Sequence, residues 1–483
     1  MKRISFFCAL LSICFLFSSC GIIVIPGKDG TSPSQTTDET KLGMPEETYT
    51  PHDYPLYVET DGEGISQEQL DTLPKMDFNG MSLFFATSDV TGDLFNDESG
   101  CYKTAVERRN QMVASAYNAK IAIVRETSAQ IWIEIRTAEL SGSYYADFAV
   151  LPAFEMGAYH ASDLLLNLNS LPYVDFAQPY YLTSAIEQMT VGGKVYGAVG
   201  NATVSPSHYG CLYVNQTLLA KEGKTVDYAA LHEGNFTWET FLQDLRTLSE
   251  DVVPFVSAYS AADTMRYTHG SIGQTFLLPD GAGSLQPNVN TVNTLSFVDT
   301  LKALAGCWEQ NYTTADAERL TGFDIFKKGY SVYAFGELGH IEDLRDCGFT
   351  FEVLPLPKQS ADQAYSTPVT DNAPVITALT STSNIDVMGY ILEAVNAASY
   401  GYVTKAYYDY IQRDCITGVH TLDMVDLICE NPLYDFVTMF SARSSALSEG
   451  TFHALYNAVN GSREASYYLT RYESGLRRYL SSF

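Results

Sequence analysis

The chain has 483 residues, a formal net charge of −28, 46% apolar residues and 18% charged residues. This apolar content is typical of a folded protein and not of a disordered one. The acidic balance argues against a nucleic-acid partner, which needs a basic surface, and against adsorption of the chain itself to anionic lipid.

The first residues are built like an export signal. Lys2 and Arg3 precede an apolar run over residues 4–17, and the small residues of FSSCG lead to Cys20. A basic start, an apolar stretch and small residues mark a secretory signal and not a membrane span. This order resembles a bacterial lipobox, whose cysteine is lipidated and becomes the mature N-terminus; the alternative is an ordinary signal peptide with an incidental cysteine.

We therefore expect a signal peptide at 1–19, palmitate or a similar lipid at Cys20, and a protein held at the extracytoplasmic face of the cell membrane. Residues 20–50 are expected to be a flexible linker, because 27–48 are polar and rich in Ser, Thr, Gly and acid. The rest of the chain is too long for one ordinary core, which predicts two domains.

The first part of the chain alternates between strand and helix patterns. Its predicted elements are strands at 81–86, 120–124 and 147–151 and helices at 102–117 and 128–140. This alternation predicts an open, largely parallel sheet with helices on both faces. Ligands bind beyond the carboxyl ends of such strands, so the loops after Ala86 and Leu151 are the first candidate positions for a site.

A second α/β pattern follows. Its predicted elements are strands at 195–199, 211–214, 254–259, 330–335, 349–354 and 375–379, helices at 238–248 and 295–310, and helices from 384 almost to the end. Trp238 lies on an apolar helical stripe, which predicts a core residue. Trp132 and Trp308 also lie on helical stretches and are assigned to the core, whereas Tyr180 and Tyr181 follow a proline and are the better exposed candidates.

The cysteines give little direction. Six remain beyond Cys20: Cys101, Cys211, Cys307, Cys347, Cys415 and Cys429. They form no CxxC pair and no spacing typical of zinc, so we expect small core residues; a bridge such as Cys307–Cys347 stays open. No GxSxG, HExxH, GxxxxGK[ST] or GxGxxG motif stands in a supporting context, and we expect neither a cofactor nor a metal.

Ten short segments resemble, in their order and spacing, the extracellular solute-binding proteins (family 1) of carbohydrate ABC importers. They are residues 73–80 (LPKMDFNG), 105–110 (AVERRN), 117–118 (YN), 171–176 (LPYVDF), 179–181 (PYY), 193–197 (GKVYG), 212–215 (LYVN), 235–239 (NFTWE), 354–358 (LPLPK) and 362–365 (DQAY). At 179–181 tyrosines stand where that family often has tryptophans.

The resemblance implies a two-lobed α/β fold of the periplasmic-binding-protein type II, with a ligand cleft between the lobes and a helical C-terminal region. By analogy, lobe one comprises 78–200 with part of 375–413. Lobe two comprises 205–365 with the C-terminal helices 414–483. The lobes are expected to be joined by crossings near 199–209 and 366–379 and to close around the ligand.

Sugar sites need aromatic faces for C–H surfaces and planar polar groups for hydroxyls. The candidate ligand-binding residues are Asp89, Phe154, Glu155, His208, Tyr209, Tyr259, Glu337 and Asp371, all at predicted strand ends or crossings. Five of them have a specific ordinary alternative: an Asx turn for Asp89, a first helical turn for Phe154 and Glu155, a structural histidine for His208, and a hinge position for Asp371.

The sequence thus predicts a lipid-anchored, monomeric substrate-binding protein that captures a solute, expected to be an oligosaccharide, and delivers it to the permease subunits of an ABC importer without catalysis. The main alternative is an exported glycan-acting enzyme with two catalytic carboxylates. Metal uptake, and a peptide-binding or surface-display module without a transporter, are the further alternatives.

Overall fold

A computed structural model describes residues 62–88, 102–203, 205–279, 285–308, 320, 322–415, 418–440 and 445–480. The predicted signal peptide, Cys20, the linker, Asp89 and Cys101 lie outside the described residues. The strands in these ranges are β1 (Met81–Ser88), β2 (Ala119–Glu126), β3 (Phe148–Pro152), β4 (Thr190–Val191), β5 (Lys194–Val195), β6 (Gly210–Asn215), β7 (Val253–Ser257), β8 (Leu277–Pro279), β9 (Leu285–Pro287), β10 (Ser331–Glu337), β11 (Phe351–Leu354), β12 (Thr367–Pro368), β13 (Pro374–Ala378) and β14 (Pro432–Leu433).

Helices alternate with these strands and dominate the C-terminal region. In the described ranges they are α1 (Gly62–Thr72), α2 (Lys103–Tyr117), α3 (Ser128–Ser141), α4 (Met156–His160), α5 (Thr183–Gln188), α6 (Gln216–Lys221), α7 (Tyr228–His232), α8 (Trp238–Arg246), α9 (Ala261–Gly270), α10 (Val292–Cys307), α11 (Phe323–Lys327), α12 (Ile385–Ala397), α13 (Val403–Tyr410), α14 (Thr421–Glu430), α15 (Phe436–Phe440), α16 (Ser445–Ser448), α17 (Ala454–Asn460) and α18 (Ala465–Leu480). None of these helices is long and apolar enough to span a membrane.

The first sheet has the strand order β13-β3-β1-β2. Strands β2 and β3 run parallel to β1, and β13 pairs antiparallel with β3. The side chains of Phe85 and Phe148 are completely buried and stack with ring centroids 4.5 Å apart. Strands covered on both faces explain why β1 and β3 are nearly continuous apolar runs.

The second sheet has the strand order β11-β6-β10-β7 and is mixed, whereas the sequence predicted no strand directions for it. Only β7 and β10 are parallel; β6 runs antiparallel to both β10 and β11. The reason lies in where β6 enters, because its first residue, Gly210, pairs with Glu337 at the end of β10. A strand that enters at the carboxyl edge of its neighbour has to run against it.

Two crossing segments connect the part of the chain around the first sheet (lobe 1) with the part around the second (lobe 2). They run antiparallel to each other, with bridges between Ala198 and Ile376 and between Tyr209 and Val369. The two-lobed α/β fold class is therefore confirmed. Strand β14 pairs in parallel with β12 and adds a further segment beside the second crossing.

The C-terminal helices contact both lobes. The amide of His420, just before α14, donates to the buried carboxylate of Glu352 on β11. By contrast, α15 packs on lobe 1, where Phe440 lies so close to Gly157 that a Cβ there would overlap the Phe440 backbone. Further on, Asn460 contacts Met265 of α9. The assignment of all of 414–483 to lobe 2 remains a prediction. Of the contacts described, those of His420 and Asn460 are with lobe 2, and that of Phe440 is with lobe 1.

The core assignment of Trp238 is confirmed, since the side chain is 1% exposed and its Nε1 donates to Ser271 Oγ at 2.8 Å. Helix α8 starts at a capping box formed by Thr237 and Thr240. Cys307 and Cys347 are both free thiols, so the bridge that the sequence left open is not present.

Candidate functional site

Both sheets present the carboxyl ends of their parallel strands to the second crossing. In lobe 1, β3 ends at Pro152 and passes into a 3-10 turn, Ala153–Glu155. In lobe 2, β7 ends at Ser257 and β10 at Glu337. A cavity opens at each of these sheet edges, and side chains of the loops that follow the strands line it.

The first cavity, in lobe 1, has a volume of about 530 Å³. It is lined by Ser128, Ala129, Trp132, Ile133, Phe154, Glu155, Ala158 and Tyr159. The Trp132 indole is fixed by the edge of the Tyr159 ring at 4.8 Å and by the Arg136 guanidinium, 5.4 Å from its centroid. This wall offers an immobilised aromatic surface beside the Glu155 carboxylate.

Local sequence explains why Trp132 reaches this edge. Helix α3 begins directly after β2, where the Thr127 side chain accepts a hydrogen bond from the Gln130 amide at 3.2 Å. Such an N-cap fixes the start of the helix, so Trp132 lies in its second turn, next to the carboxyl end of the sheet.

The second cavity, in lobe 2, also has a volume of about 530 Å³. Its lining consists of Ser257, Ala258, Tyr259, Ser260, Ala261, Met265, Ala305, Trp308, Gly322 and Asn460. Trp308 packs edge-on against Phe255 at 5.4 Å, and Tyr259 against Tyr267 at 5.0 Å. Gly322 has φ 54° and a Cβ there would lie 2.8 Å from the Ser257 carbonyl oxygen, so this wall requires glycine.

Asp371 lies between the two cavities. Its carbonyl oxygen accepts a hydrogen bond from the amide of Phe154 at 3.1 Å. Its carboxylate accepts two hydrogen bonds from Arg266 on α9, at 2.7 and 2.8 Å. The predicted residues Phe154, Tyr259 and Asp371 are thus brought to one region of the molecule.

His208 and Glu337 form a second polar group at the crossings. His208 Nδ1 lies 3.5 Å from Glu337 Oε2, which also accepts a hydrogen bond from Thr370 Oγ1 at 2.5 Å. Burial opposes ionisation of Glu337, but the contacts with His208 and Thr370 outweigh it and lower the pKa of Glu337. Glu337 is therefore an anion whose oxygens are already partly occupied.

Tyr209 differs from the other candidates because its side chain is completely buried. Its hydroxyl has no hydrogen-bond partner among the described residues, and burial raises the pKa of Tyr209 well above the usual value. A ligand reaches this side chain only if the crossing rearranges. Its role in binding remains a prediction, as does that of the other candidate residues.

Two predictions about aromatic residues were wrong. Tyr180 and Tyr181, expected to be exposed, are buried, and both hydroxyls donate to the carboxylate of Glu393, at 2.5 and 2.8 Å. Conversely, Trp132 and Trp308, assigned to the core, are only partly buried and line the cavities. The position of Trp132 shortly after β2 was a usable signal. Trp308 directly follows the helix α10, and helical spacing did not reveal its place in a cavity wall.

Arg266 was not singled out from the sequence, although it holds the carboxylate of the candidate residue Asp371. Its side chain is 8% exposed and lies between the rings of Tyr267 and Phe452, with centroids 4.3 and 4.6 Å from its guanidinium carbon. Across the described ranges, no group of three His, Cys, Asp or Glu side chains is arranged to hold a metal ion.

Comparison with known proteins identifies the fold. No family model and no curated protein matches the sequence. Among solved structures, a cyclic α-maltosyl-1,6-maltose binding protein from Arthrobacter globiformis matches 84% of this chain and 100% of its own, at 13% identity and a TM-score of 0.56. The chain has the fold of the ABC solute-binding proteins.

Two further structures agree with this assignment. A family 1 extracellular solute-binding protein from Bifidobacterium longum subsp. infantis is 14% identical, with 83% of this chain and 100% of that chain covered and a TM-score of 0.54. An ABC substrate-binding protein from Listeria monocytogenes in complex with cycloalternan is 12% identical, with coverage of 83% and 99% and a TM-score of 0.53. At these identities the likeness establishes the fold.

Proposed function

We propose that this protein is a lipid-anchored substrate-binding protein of an ABC importer, belonging to the family 1 extracellular solute-binding proteins. It binds an oligosaccharide between its two lobes at the extracytoplasmic face of the membrane and delivers it to the permease subunits. It acts as a monomer, needs no cofactor and catalyses no reaction.

The observation that carries the proposal is the pair of aromatic-walled cavities. Each lobe contributes one cavity at the carboxyl edge of its sheet, with Trp132 and Phe154 in one and Tyr259 and Trp308 in the other. Sugar rings present apolar C–H faces that pack on aromatic rings, and their hydroxyls bind to carboxylates, amides and serines. A ligand that touches both cavities has to extend past Asp371, which favours an oligosaccharide over a single sugar.

The names of the fold relatives support the choice of ligand class. They include binding proteins for cyclic α-maltosyl-1,6-maltose and cycloalternan. We extend this class to the present chain as the first set of ligands to test.

The proposed mechanism is lobe closure. The lobes are joined by the two crossing segments and by the C-terminal region, which contacts both lobes. Changes of a few backbone torsions near 198–209 and 366–376, with matching changes in the C-terminal connections, bring the sheet edges together. Ligand shifts this equilibrium because it contacts both lobes only in the closed form. The closed form is the one recognised by the permease.

A binding screen tests the proposal. Purified protein lacking the signal and Cys20 is titrated calorimetrically with maltodextrins, cyclic α-glucans, other oligosaccharides, amino acids, peptides and divalent metals. We expect one oligosaccharide class to bind, with a decrease in the radius of gyration in small-angle X-ray scattering. In Trp132→Ala, affinity for that glycan should fall by at least about tenfold, the loss of roughly 1.4 kcal/mol or more expected for an aromatic anchor.

Leu140→Ala is the matched control, because Leu140 lies on the same helix as Trp132 and is 82% exposed away from the cavity lining. Its affinity should equal that of the unaltered protein. Binding of peptides or metals but of no glycan would refute the carbohydrate proposal. Hydrolysis of a glycan that disappears when one cavity carboxylate is replaced would refute the absence of catalysis.

A further inference from the structure

Asp371 is bonded to both lobes at once. On the lobe 1 side, its carbonyl oxygen accepts the Phe154 amide, and two residues later the Ala373 carbonyl accepts the Ala153 amide at 2.9 Å. On the lobe 2 side, its carboxylate is held by Arg266. The backbone of the second crossing is therefore tied to lobe 1, and its side chain to lobe 2.

The Arg266 contact is a two-point contact. Nη1 donates to Oδ1 and Nη2 to Oδ2 of Asp371, a geometry that fixes the angle as well as the distance between the partners. Burial by itself disfavours the charged guanidinium, but the hydrogen bonds and charge of Asp371 reverse this effect and raise the pKa of Arg266. The guanidinium is also confined between two aromatic rings and receives a second carboxylate, Asp263, at 3.1 Å.

The same contacts connect the two cavities. Phe154, which donates to Asp371, lines the first cavity. Tyr267, whose hydroxyl accepts hydrogen bonds from Arg266 at 2.9 Å and from the Asp371 amide at 3.4 Å, packs against Tyr259 of the second cavity. A displacement of Asp371 relative to lobe 2 therefore changes the position of one cavity wall relative to the other.

We propose that Arg266 is a positioning residue for ligand binding: by clamping Asp371 it limits how far the lobes open and keeps the two cavities aligned before ligand arrives. This inference rests on the proposed function insofar as lobe closure serves binding. The clamp reduces the range of open states, so less ordering is needed when a ligand bridges the lobes. It adds a named residue pair to the hinge, which otherwise consists only of backbone torsions.

The clamp is tested without ligand, by pulsed electron–electron distance measurement on the full chain. Nitroxide labels are attached through ketone amino acids at Leu140 on α3 and Val292 on α10, both 82% exposed and on different lobes. We expect a narrow distance distribution in the parent. In Arg266→Met and in Asp371→Asn, we expect the same broadening or shift, and the double variant should add nothing, since both changes remove one interaction.

Lys224→Met is the control, because it also removes an ion pair, Lys224–Asp244 at 3.1 Å, but one that lies entirely within lobe 2. Its distance distribution should match that of the parent. If Arg266→Met fails to fold, the same distance distribution is measured in Arg266→Lys and Asp371→Asn, which keep the side-chain volume. Distributions that stay superimposable on the parent in these folded variants would overturn the clamp.

The two proposals fail separately. A clamp that restricts the ligand-free distances while no glycan binds in the screen leaves the clamp in place and removes the sugar function. Glycan binding with unchanged distances in all folded variants supports the sugar function and overturns the clamp. Where both hold, Arg266→Met should weaken glycan binding several-fold although Arg266 lines neither cavity.

Discussion

At the scale of single residues, buried polar partners decide much of what the sequence left ambiguous. The adjacent tyrosines Tyr180 and Tyr181 follow Pro179 in a polar stretch, which favours exposure. Their burial depends on Glu393, which lies more than 200 residues later and also accepts the Asp175 amide at 3.1 Å. A carboxylate that accepts three hydrogen bonds can be buried, and the two tyrosines that donate to it are buried beside it.

The first prediction concerns this cluster. Tyr180→Phe removes one donor from the buried Glu393 carboxylate, so we expect unfolding free energy to fall by about 1.5–3 kcal/mol near pH 8, the range for hydrogen bonds to charged groups. Burial raises the pKa of Glu393, so the ionised form weakens the fold increasingly as the pH rises through that raised pKa. The loss in Tyr180→Phe should accordingly be smaller at about pH 4 than at about pH 8.

Tyr407→Phe is the same chemical change at a site of opposite character. Tyr407 is equally buried, but its hydroxyl has no hydrogen-bond partner among the described residues. Removing an unsatisfied buried hydroxyl is expected to leave stability unchanged or to raise it by about 1 kcal/mol. Urea unfolding of both variants measures the contrast, and equal destabilisation of the two would contradict the assignment of Glu393 as the decisive partner.

At the scale of elements, local patterns predicted the strands and helices well because each one carries its own signal. The helix α8 has an N-cap and an apolar stripe, and β1 is a short apolar run, so both were predicted within two residues of their ends. The direction of β6 was not predictable in this way. It depends on pairing with β10, which lies more than 100 residues further along the chain.

Two glycines in helices give the prediction at this scale. Gly389 lies in α12 where a Cβ would overlap the carbonyl oxygen of Pro172, whereas Gly306 lies in α10 with no heavy atom within 4 Å of a Cβ. We expect Gly389→Ala to destabilise the protein by about 1–3 kcal/mol through overpacking against backbone. Gly306→Ala should stabilise it by about 0.5–1 kcal/mol, since alanine restricts the unfolded chain and favours helix.

Thermal or urea unfolding of these two variants separates packing from propensity. Helix propensity alone predicts the same stabilising sign for both substitutions. A stabilised Gly389→Ala variant would therefore show that α12 and the 171–176 segment do not pack as closely as the structure has them.

At the scale of the whole molecule, the proposed anchor and the acidic charge are connected. A chain with a net charge of −28 is repelled by an anionic membrane, so the proposed attachment to the membrane requires a lipid. We predict that Cys20→Ser releases the protein from the membrane fraction into the medium. The unaltered protein should stay with the membrane even at high salt, because acyl chains hold by apolar burial and not by charge.

Cell fractionation with immunoblotting measures this difference. A Gly21→Ala variant, which keeps the thiol, is the control and should remain with the membrane. Release of the unaltered protein into the medium would contradict lipidation at this position and favour an ordinary signal peptide. Membrane association of Cys20→Ser that resists salt would show that another segment holds the protein and would also contradict the prediction.

The sequence by itself determined the α/β class, many element positions and the candidate strand-end residues, because these follow from periodicity, caps and the ends of apolar runs. The two-lobed arrangement was implied by the resemblance to a family. Tertiary structure alone decided which aromatic residues are buried. Trp132 and Trp308 reached cavity walls, while Tyr180 and Tyr181 were enclosed around Glu393. It also decided that Arg266 contacts Asp371. The burial of Tyr180 and Tyr181 and the contact of Arg266 depend on partners more than 100 residues away, and no local pattern contains such partners.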